Sequence, residues 1–388
     1  MKLRLWFAAL AAFALPIPAH AFAPAAVAAQ PSGERWSAAE ANAWYAKQPW
    51  LTGANYIPAN AINELEMWQA ETFDPAQIDR ELGWAQQKFG MNTMRVFLHD
   101  LAWRQDPQGF KRRVDQFLAI AARHGIRPIF VLFDSCWDPN PKPGPQHPPI
   151  PGVHNSGWLQ SPGREDLLNP ANDVRLRAYV EDVVGAFAND PRVLAWDVWN
   201  EPDNEGGGTY EDKSSYKSEL ARIETLLPQV FAWARSRRPV QPLTSGIWAG
   251  DDWSPKGKLW PIQRIQLTQS DIISFHNYGW PEEFEARIAQ LRPWGRPLLC
   301  TEWLARSAGS TVDAVLPVAR RENVGMVNWG FVQGKIQTWL PWDSWDRPYT
   351  LKPPTVWFHD LVKPDGTPYR EREAELFRTL RAARAAAP

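Results

Sequence analysis

The sequence predicts an α/β protein built as a single (β/α)8 TIM barrel with long βα loops on one face. Short apolar runs alternate with amphipathic segments of helical periodicity, which is the pattern of βαβ units and a parallel sheet. Eight such units share a chain of 388 residues, and barrels of this kind commonly form one domain of that size. No glycine-rich dinucleotide-binding motif follows the first strand, which weakens the alternative of a doubly wound sheet.

The individual elements follow from local signals in chain order. "LTGANYIP" is the first predicted strand, and the next helix has Asp74 as its N-cap, Pro75 in its first turn and Gly90 as its stop. The same succession of apolar run, polar loop, amphipathic helix and Gly, Pro or Asn break repeats to the end of the chain. Strands are predicted at 51–58, 92–99, 126–134, 193–200, 241–248, 271–279, 296–303 and 325–332. Helices are predicted at 74–90, 109–125, 172–190, 214–238, 262–269, 281–292, 311–323 and 371–383, the fifth being weak.

The N-terminal segment has the composition of a signal for export. Lys2 and Arg4 form a basic region, residues 5–15 are apolar, and the small residues Ala19 and Ala21 fit the cleavage rule for a secretory signal peptide. We therefore expect a secreted or periplasmic protein. The predicted boundaries are 1–21 for the signal peptide, 22–35 for a disordered Ala/Pro-rich leader and 36–388 for the (β/α)8 barrel.

The overall composition limits the class of partner. The chain carries 42 Lys and Arg against 43 Asp and Glu, a formal net charge of −1, with no long run of one sign. This balance argues against nucleic acid or an anionic membrane surface as the partner, and no later apolar run is long enough to span a bilayer. The chain has 23 Trp, many of them in predicted loops, where a flat ring suits stacking on a sugar; core packing is the alternative for some.

Cysteine and histidine give no sign of a metal or a cofactor. Cys136 and Cys300 fall far apart around the predicted barrel, so we expect two buried free thiols rather than a disulfide. The seven His are scattered, and neither a His-Glu-x-x-His motif nor paired Cys spacing occurs. We predict no metal site and no cofactor.

Polar and aromatic side chains gather where the predicted strands end. Chemistry in barrels of this kind takes place at the carboxyl ends of the strands. In "VLAWDVWNEPDNEGGG" a strand fit for a core ends by presenting Asn200 and Glu201 directly before Pro202. The side chains predicted at this face are Asn55, Tyr56, Arg95, His99, Asp134, Asn200, Glu201, His276, Tyr278, Glu302, Trp303 and Trp329.

Glu201 and Glu302 are predicted to face each other across the barrel mouth. Two carboxylates flanking a sugar are the equipment of glycoside hydrolysis, in which one protonates the leaving oxygen and the other attacks the anomeric carbon or activates a water. A separation of about 5–5.5 Å would make the mechanism retaining. Like charges in proximity raise one pKa, so one carboxyl serves as acid while the other is ionised. The apolar flanks of "LLCTEW" oppose the alternative that Glu302 is a surface carboxylate.

These residues resemble clan A of the glycoside hydrolases, and most closely glycoside hydrolase family 5, over residues from Trp36 to about Ala386. The resemblance implies Glu201 in "WNEP" as acid/base and Glu302 in "TEW" as nucleophile. It also implies substrate-binding roles for the strand-two arginine in "RVFL", for Asn200, for the pair in "HNY" and for the strand-eight tryptophan in "VNWG". These residues are Arg95, Asn200, His276, Tyr278 and Trp329.

The third strand departs from the family pattern. Many members carry a histidine there, where this chain has "FDSCW". His99 or Asp134 is the expected substitute for that contact.

Several of these residues also have a structural interpretation. Arg95 can pair with Asp197 as readily as it can serve the site, His276 can be a satisfied structural histidine, and Trp329 can be core filler. In the first βα loop, "NAINELEMWQ", we predict that Glu66 and Trp68 shape the sugar pocket, against the alternative of a solvated loop with one anchoring tryptophan. After the eighth strand, Trp339, Trp342 and Trp345 are predicted to stack on sugar, although one or two can instead pack on the barrel rim.

The predicted function is that of a secreted retaining glycoside hydrolase acting on β-mannosidic or β-glucosidic glycans, with an oligo- or polysaccharide as its partner. A transglycosylase on the same scaffold and a non-catalytic glycan-binding barrel are the alternatives. The pair of carboxylates argues against the second, because a binding module has no use for it. The first, third and eighth βα loops are all long, which favours a walled pocket that takes a chain end or a short oligosaccharide.

Overall fold

The predicted strands form one parallel sheet of eight strands. The structure is a computed structural model that describes residues 33–205 and 216–383. The strands are β1 (Thr52–Asn55), β2 (Thr93–Phe97), β3 (Arg127–Val131), β4 (Ala195–Asp197), β5 (Leu243–Thr244), β6 (Ile273–His276), β7 (Leu298–Glu302) and β8 (Gly325–Asn328). The helices are α1 (Ala38–Ala46), α2 (Glu64–Trp68), α3 (Pro75–Phe89), α4 (Asp100–Gln105), α5 (Pro107–Arg123), α6 (Arg164–Leu168), α7 (Asp173–Phe187), α8 (Tyr216–Ser236), α9 (Pro261–Gln269), α10 (Pro281–Leu291), α11 (Val312–Arg321) and α12 (Glu371–Ala382).

The sheet curves into a barrel. Its strand order is β5-β4-β3-β2-β1-β8-β7-β6, with parallel pairing throughout. A parallel bridge between Ile247 and Phe275 joins the chain beyond β5 to β6, and the Ile247 N–H donates to the Ser274 carbonyl at 3.1 Å. This contact brings the two ends of the sheet together, so all eight strands direct their carboxyl ends to one face, as the sequence predicted.

Local capping sets the helix ends. In α3 the Asp74 side chain accepts from the N–H groups of Ala76 and Gln77, Pro75 occupies the first turn, and Gly90 closes the helix in the left-handed conformation at φ 66°. These are the N-cap, first-turn and stop residues that the sequence predicted. Each predicted helix is present, including the weak one now seen as α9.

The barrel interior divides into two clusters. A large cluster joins strands to the surrounding helices. A smaller one, which includes Leu51, Ile129 and Val327, has Ala41 of α1 within it and Trp36 packed against it. The same cluster contains Leu51, Leu194 and Ile272, which directly precede β1, β4 and β6, so α1 covers the barrel end opposite the site.

Four short helices were not predicted. These are α1, α2, α4 and α6, and three of them lie inside βα loops. Helices of about six residues have too few periodic positions to be read from an apolar pattern. The strands are also shorter than the predicted apolar runs, since pairing stops where the loops begin.

The N-terminal prediction lies mostly outside the described residues. Of the predicted leader, residues 33–35 are described, and Arg35 donates to the carbonyls of Leu267 and Ser270 at 2.9 Å. Cys136 and Cys300 are both buried and unpaired, as predicted. Among the helices of the described residues, none has the length and apolar character that crossing a membrane requires.

Candidate active site

Glu201 and Glu302 meet at the carboxyl face of the barrel. Glu302 is the last residue of β7, and Glu201 follows β4. They are 6% and 5% exposed. Carboxylate oxygens of the two residues, together with a ring nitrogen of His276, all lie within 4.8 Å of one another. The fold therefore brings together the two carboxylates that the sequence singled out.

The backbone at Glu201 explains why the strand ends as it does. Glu201 has φ 39°, in the left-handed region that non-glycine residues rarely adopt. Pro202 follows directly and prevents the strand from continuing. Strained backbone of this kind costs about 1–3 kcal/mol and concentrates at functional sites. The turn places a carboxylate at the mouth of the barrel rather than inside its wall.

A register shift aligns the sixth and seventh strands at the site. Ile273 to Phe275 pair in step with Leu298 to Cys300, and then His276 pairs with Glu302, so Thr301 is passed over. Bulges of this kind re-aim side chains beside active sites. Here the shift puts His276 level with Glu302.

The Glu302 carboxylate has two donors. Arg95 Nη1 donates to Oε1 at 2.9 Å, and the Tyr278 hydroxyl donates to Oε2 at 2.8 Å. Burial is the largest influence and raises the pKa of Glu302; the charge of Glu201 also raises it, while His276, Arg95 and Tyr278 oppose the rise. A cation and a hydroxyl held on this carboxylate favour its ionised form.

Arg95 combines the two roles that the sequence left open. It is fully buried, and its Nε and Nη2 donate to Asp197 Oδ2 at 3.1 and 2.8 Å. Nη2 also donates to Asn200 Oδ1 at 2.6 Å, and Nη1 to Asn55 Oδ1 at 2.9 Å as well as to Glu302. The guanidinium is thus a structural partner of Asp197 and a direct contact of Glu302.

The groups in direct contact with the Glu201 carboxylate are an imidazole, an amide and a thiol. Its Oε1 is 2.6 Å from His276 Nδ1, and its Oε2 accepts from Asn204 Nδ2 at 2.7 Å and from the Cys136 thiol at 3.4 Å. Burial raises the pKa of Glu201, against the effect of these donors and of Arg95. Burial also lowers the pKa of His276 to about 4, so the imidazole is neutral at pH 7.

Asp134 and Cys136 occupy the third-strand position where the family resemblance implied a histidine. Asp134 Oδ1 accepts from Asn200 Nδ2 at 2.9 Å, and its Oδ2 accepts from Trp158 Nε1 at 2.7 Å. Burial raises the pKa of Asp134 to about 6. Since the Asn200 amide donates to Asp134 and accepts from Arg95, its orientation is fixed on both sides.

Sequence reasoning did not select Cys136, Asn204 or Trp158 for the site. Cys136 carried a weak signal, because it stands two residues beyond a strand-end aspartate. Trp158 lies far along the third loop, and its contact with Asp134 depends on the path of that loop, which the sequence does not show. Asn204 follows the proline that ends the fourth strand, and no pattern distinguishes it from an ordinary loop residue.

Two residues predicted in the first βα loop have other partners. Trp68 is fully buried, donates from Nε1 to the Phe97 carbonyl at 2.7 Å and packs against Phe110. A ring without exposed surface cannot stack on a ligand, and the predicted role of Trp68 in shaping the sugar pocket stays a prediction. Glu66 pairs with Lys335 at 2.6 Å and does not bond to either glutamate of the site.

His99 caps a helix beside the site. It is the N-cap of α4, where its Nδ1 accepts from the Leu101 N–H at 3.2 Å. The ring is fully buried, and within the described residues its Nε2 has no hydrogen-bond partner. Its predicted contact with substrate stays a prediction.

The predicted stacking tryptophans differ in exposure. Trp329 is 7% exposed and packs edge-on against Phe97 and Trp158. Trp339 is half-buried beside Trp357. Trp342 is 42% exposed, and its ring lies 5.2 Å from that of Tyr278 in a T-shaped arrangement. Of the predicted tryptophans, Trp342 therefore combines exposure with contact to a site residue.

The first and third loops are joined by side-chain hydrogen bonds. We call residues 56–74, 132–163 and 329–370 the β1, β3 and β8 loops. Asn63 Nδ2 donates to Gln146 Oε1 at 2.9 Å, and Gln69 Nε2 donates to the Gly144 carbonyl at 3.0 Å. The Pro-rich part of the β3 loop is thereby held against the β1 loop.

The β3 and β8 loops are joined in the same way. Gln337 Nε2 donates to the carbonyls of Ile150 and Val153 at 2.8 and 2.9 Å. The His154 N–H donates to Ser344 Oγ at 2.9 Å. The three long loops thus form one hydrogen-bonded rim around part of the barrel mouth.

The same cluster has donor atoms that a divalent cation could use. Glu201, His276 and Glu302 offer two carboxylates and an imidazole within one small volume. Two contacts oppose that use: the Arg95 guanidinium lies against Glu302, and the Tyr278 hydroxyl takes its other oxygen. A guanidinium held 2.9 Å from a carboxylate repels a second cation at that carboxylate.

Comparison with known proteins identifies the fold class. No family model and no curated protein sequence matches the chain. An exo-β-1,4-mannosidase from Opitutaceae bacterium strain TAV5 is similar in structure, with TM-score 0.55 and 19% identity over 85% of this chain. GH5_18 from Streptomyces cattleya in complex with GlcNAc has TM-score 0.57 and 15% identity over 88% of this chain and 83% of its own. An endo-β-1,4-mannanase from Thermotoga petrophila has TM-score 0.52 and 15% identity over 87% of this chain and 77% of its own.

These likenesses are structural. This chain spans 59% of the length of the mannosidase. At identities of 15–19% they show a common barrel fold.

Proposed function

We propose that this protein is a retaining glycoside hydrolase of clan A, most like family 5, that cleaves β-linked glycans. The observation that carries the proposal is the carboxylate pair, Glu201 and Glu302, with oxygens within 4.8 Å at the carboxyl face of the barrel. That spacing suits a double-displacement mechanism, whereas an inverting enzyme needs a wider gap of about 6.5–9.5 Å for water.

The surroundings of the pair support distinct roles for its members. Glu302 is held by the Arg95 guanidinium and the Tyr278 hydroxyl, which stabilise a carboxylate that must be ionised to attack. Glu201 is buried among an amide, a thiol and a neutral imidazole, which suits an acid that must hold its proton. We assign Glu302 as nucleophile and Glu201 as acid/base.

The reaction takes two steps. Glu302 forms a bond to the anomeric carbon as the glycosidic C–O bond breaks, and Glu201 gives its proton to the departing oxygen. Glu201 then takes a proton from water, whose oxygen attacks the anomeric carbon and displaces Glu302. Two inversions leave the product in the β configuration.

His276 is suited to follow the protonation state of Glu201. Its Nδ1 lies 2.6 Å from Glu201 Oε1, while within the described residues its Nε2 is buried without a hydrogen-bond partner. In the described part of the chain, no hydrogen bond at Nε2 therefore determines which ring nitrogen of His276 carries the proton. A neutral imidazole can accept from protonated Glu201 in the first step and donate to ionised Glu201 afterwards.

For the substrate we propose a class of linkage rather than one sugar. The proteins of similar structure include a β-1,4-mannosidase, a β-1,4-mannanase and a β-glucosidase, which supports β-mannosidic or β-glucosidic linkages here. The hydrogen-bonded rim of the β1, β3 and β8 loops supports action on chain ends or short oligosaccharides. The N-terminal sequence supports export.

Labelling of the nucleophile tests the proposal most directly. The protein is screened on aryl β-mannosides and β-glucosides and on mannan, glucan and xylan, and is then treated with the matching 2-deoxy-2-fluoro glycosyl fluoride. Peptide mapping is expected to find the label on Glu302, with none in Glu302→Gln. A label on another carboxylate would overturn the assignment, and an α-anomer as the first product would exclude retention.

The size of the first products tests the proposed mode of action. Early release of a monosaccharide or one short product, with polymer length nearly constant, is expected from a walled site. A rapid fall in viscosity with mixed oligomers would instead show an open cleft. Longer products formed from one donor sugar would favour the transglycosylase, and tight glycan binding without any turnover would favour the binding barrel.

A further inference from the structure

A groove of about 640 Å³ lies between the β8 loop and the loop that follows β7. Its lining includes Trp342, Tyr349 and Pro354 from the β8 loop, and Ser307 and Ala308 from the loop after β7. Neither catalytic glutamate is among the residues that line it. The groove is thus a separate depression on the carboxyl face of the barrel, since both of its walls come from loops that follow strands.

One ring connects this groove to the catalytic pair. Trp342 lines the groove, and its ring lies 5.2 Å from that of Tyr278. Tyr278 in turn donates its hydroxyl to Glu302 Oε2 at 2.8 Å. Trp342 and Tyr278 therefore link the wall of the groove to Glu302.

The groove has the surface chemistry of a carbohydrate subsite. Trp342 is 42% exposed and offers a flat apolar face, and Pro354 adds a second apolar surface. Ser307 is exposed, and Asp343 and the Tyr349 hydroxyl, which bond to each other at 3.1 Å, supply polar groups for sugar hydroxyls. A stacking ring with a few polar groups around it is the usual composition of sites for small polar ligands.

We propose that this groove binds the part of a β-linked oligosaccharide that extends beyond the sugar held at Glu201 and Glu302, with Trp342 as its stacking platform. The proposal rests on the function proposed above and adds a second binding region to it. The occupant is an extended glycan because the groove begins at a ring in contact with the site. The hydrogen-bonded rim of the β1, β3 and β8 loops suits a chain end, and the groove accepts the sugars that follow.

Binding to a catalytically inert protein separates this proposal from the catalytic one. Calorimetric titration uses Glu302→Gln with the β-1,4-linked disaccharides and hexasaccharides of mannose and of glucose. The hexasaccharide of the preferred sugar is expected to bind at least tenfold more tightly than its disaccharide. Trp342→Ala and, separately, Ala308→Trp, which fills the groove, are each expected to remove about tenfold of the hexasaccharide affinity, or about 1.4 kcal/mol.

Two comparisons make the result specific to the groove. Disaccharide affinity is expected to stay within about twofold in Ala308→Trp, because the substitution leaves Trp342 and Tyr278 in place. Trp260→Ala removes a tryptophan of similar exposure, 51%, that does not line the groove, and is expected to leave both affinities unchanged. Equal affinity for the disaccharide and the hexasaccharide would contradict the proposed binding in the groove. An equal loss of hexasaccharide affinity in Trp260→Ala and Trp342→Ala would contradict it as well. Length-dependent binding by Glu302→Gln with no hydrolysis by the unaltered protein would support the groove and contradict the proposed catalysis.

Discussion

The Cys136 thiol donates a 3.4 Å hydrogen bond to Oε2 of Glu201, the proposed acid/base. Burial raises the pKa of Cys136 well above its ordinary value, so the sulfur keeps its proton and acts as a donor. This bond lowers the pKa of Glu201, while burial raises it. A neutral thiol is therefore expected to take part in setting the pH range over which Glu201 holds its proton.

Substitution of Cys136 is expected to move the basic limb of the pH profile. Cys136→Ala removes a donor to ionised Glu201, so the pKa of Glu201 rises and the basic limb of kcat/KM shifts upward. Cys136→Ser supplies a stronger donor and shifts it downward. A weak hydrogen bond of up to about 1 kcal/mol limits each shift to about 0.7 pH unit. Cys300→Ser is the control for the basic limb only, because that thiol donates to the backbone carbonyl of Glu302 and not to Glu201. Shifts of the same sign in both Cys136 variants would contradict the role.

Tyr278→Phe is expected to affect the opposite limb. Burial raises the pKa of Glu302, and the hydroxyl opposes that rise by donating to the carboxylate; in the proposed role as nucleophile, Glu302 acts only when ionised. Loss of the donor raises that pKa, so the acidic limb of kcat/KM moves to higher pH and the plateau falls by roughly 10–100-fold for a lost bond of about 1.5–3 kcal/mol to a charged group. Tyr45→Phe, whose hydroxyl bonds to the Asn323 carbonyl away from the site, should leave the profile unchanged. An unmoved acidic limb in Tyr278→Phe would mean that this hydroxyl does not tune the nucleophile.

Arg95→Met is expected to destabilise the fold as well as the site. It leaves Asp197 and Glu302 without their buried cation, and removing one partner of a buried pair costs about 3–5 kcal/mol. Urea denaturation followed by tryptophan fluorescence measures the change. Asp197→Asn added to Arg95→Met should recover part of the loss, because it removes an uncompensated charge. Arg321→Met breaks an exposed pair with Glu285 and is the control, with little or no change expected in the free energy of unfolding. If Arg95→Met and Arg321→Met lowered the free energy of unfolding equally, burial of the Arg95 pairs would not explain the effect.

Asp134 is expected to make stability depend on pH in an unusual direction for an aspartate. Its pKa in the fold is about 6, raised by burial from 3.8. Between these values the folded state holds a proton that the unfolded chain has lost, so the contribution of this group falls as pH rises from about 4 to 6. The difference is on the order of 3 kcal/mol. Asp134→Asn should flatten this part of the curve of unfolding free energy against pH. Asp365→Asn, at an exposed aspartate, is the control; an unchanged slope in Asp134→Asn would mean that Asp134 is ionised throughout.

Local patterns in the sequence were enough to predict the order of the elements and to single out two carboxylates. Asp74, Pro75 and Gly90 act through backbone groups a few residues away, so their capping roles can be read without a fold. The apolar run that ends at Glu201 and the one that ends at Glu302 are likewise local. Once eight βα units are counted, closure of the barrel brings the two strand ends to one face.

The surroundings of Glu201 and Glu302 depend on contacts between distant parts of the chain. Trp68 and Trp342 look alike in the sequence, yet one ring is buried in the core and the other is 42% exposed beside Tyr278. The paths of the β1, β3 and β8 loops depend on bonds between residues far apart in the chain, such as Gln337 to Ile150. The Cys136 contact and the register shift that aligns His276 with Glu302 also arise between separate strands. Local patterns fix backbone conformation, whereas the direction and burial of a side chain depend on packing against partners that the pattern does not contain.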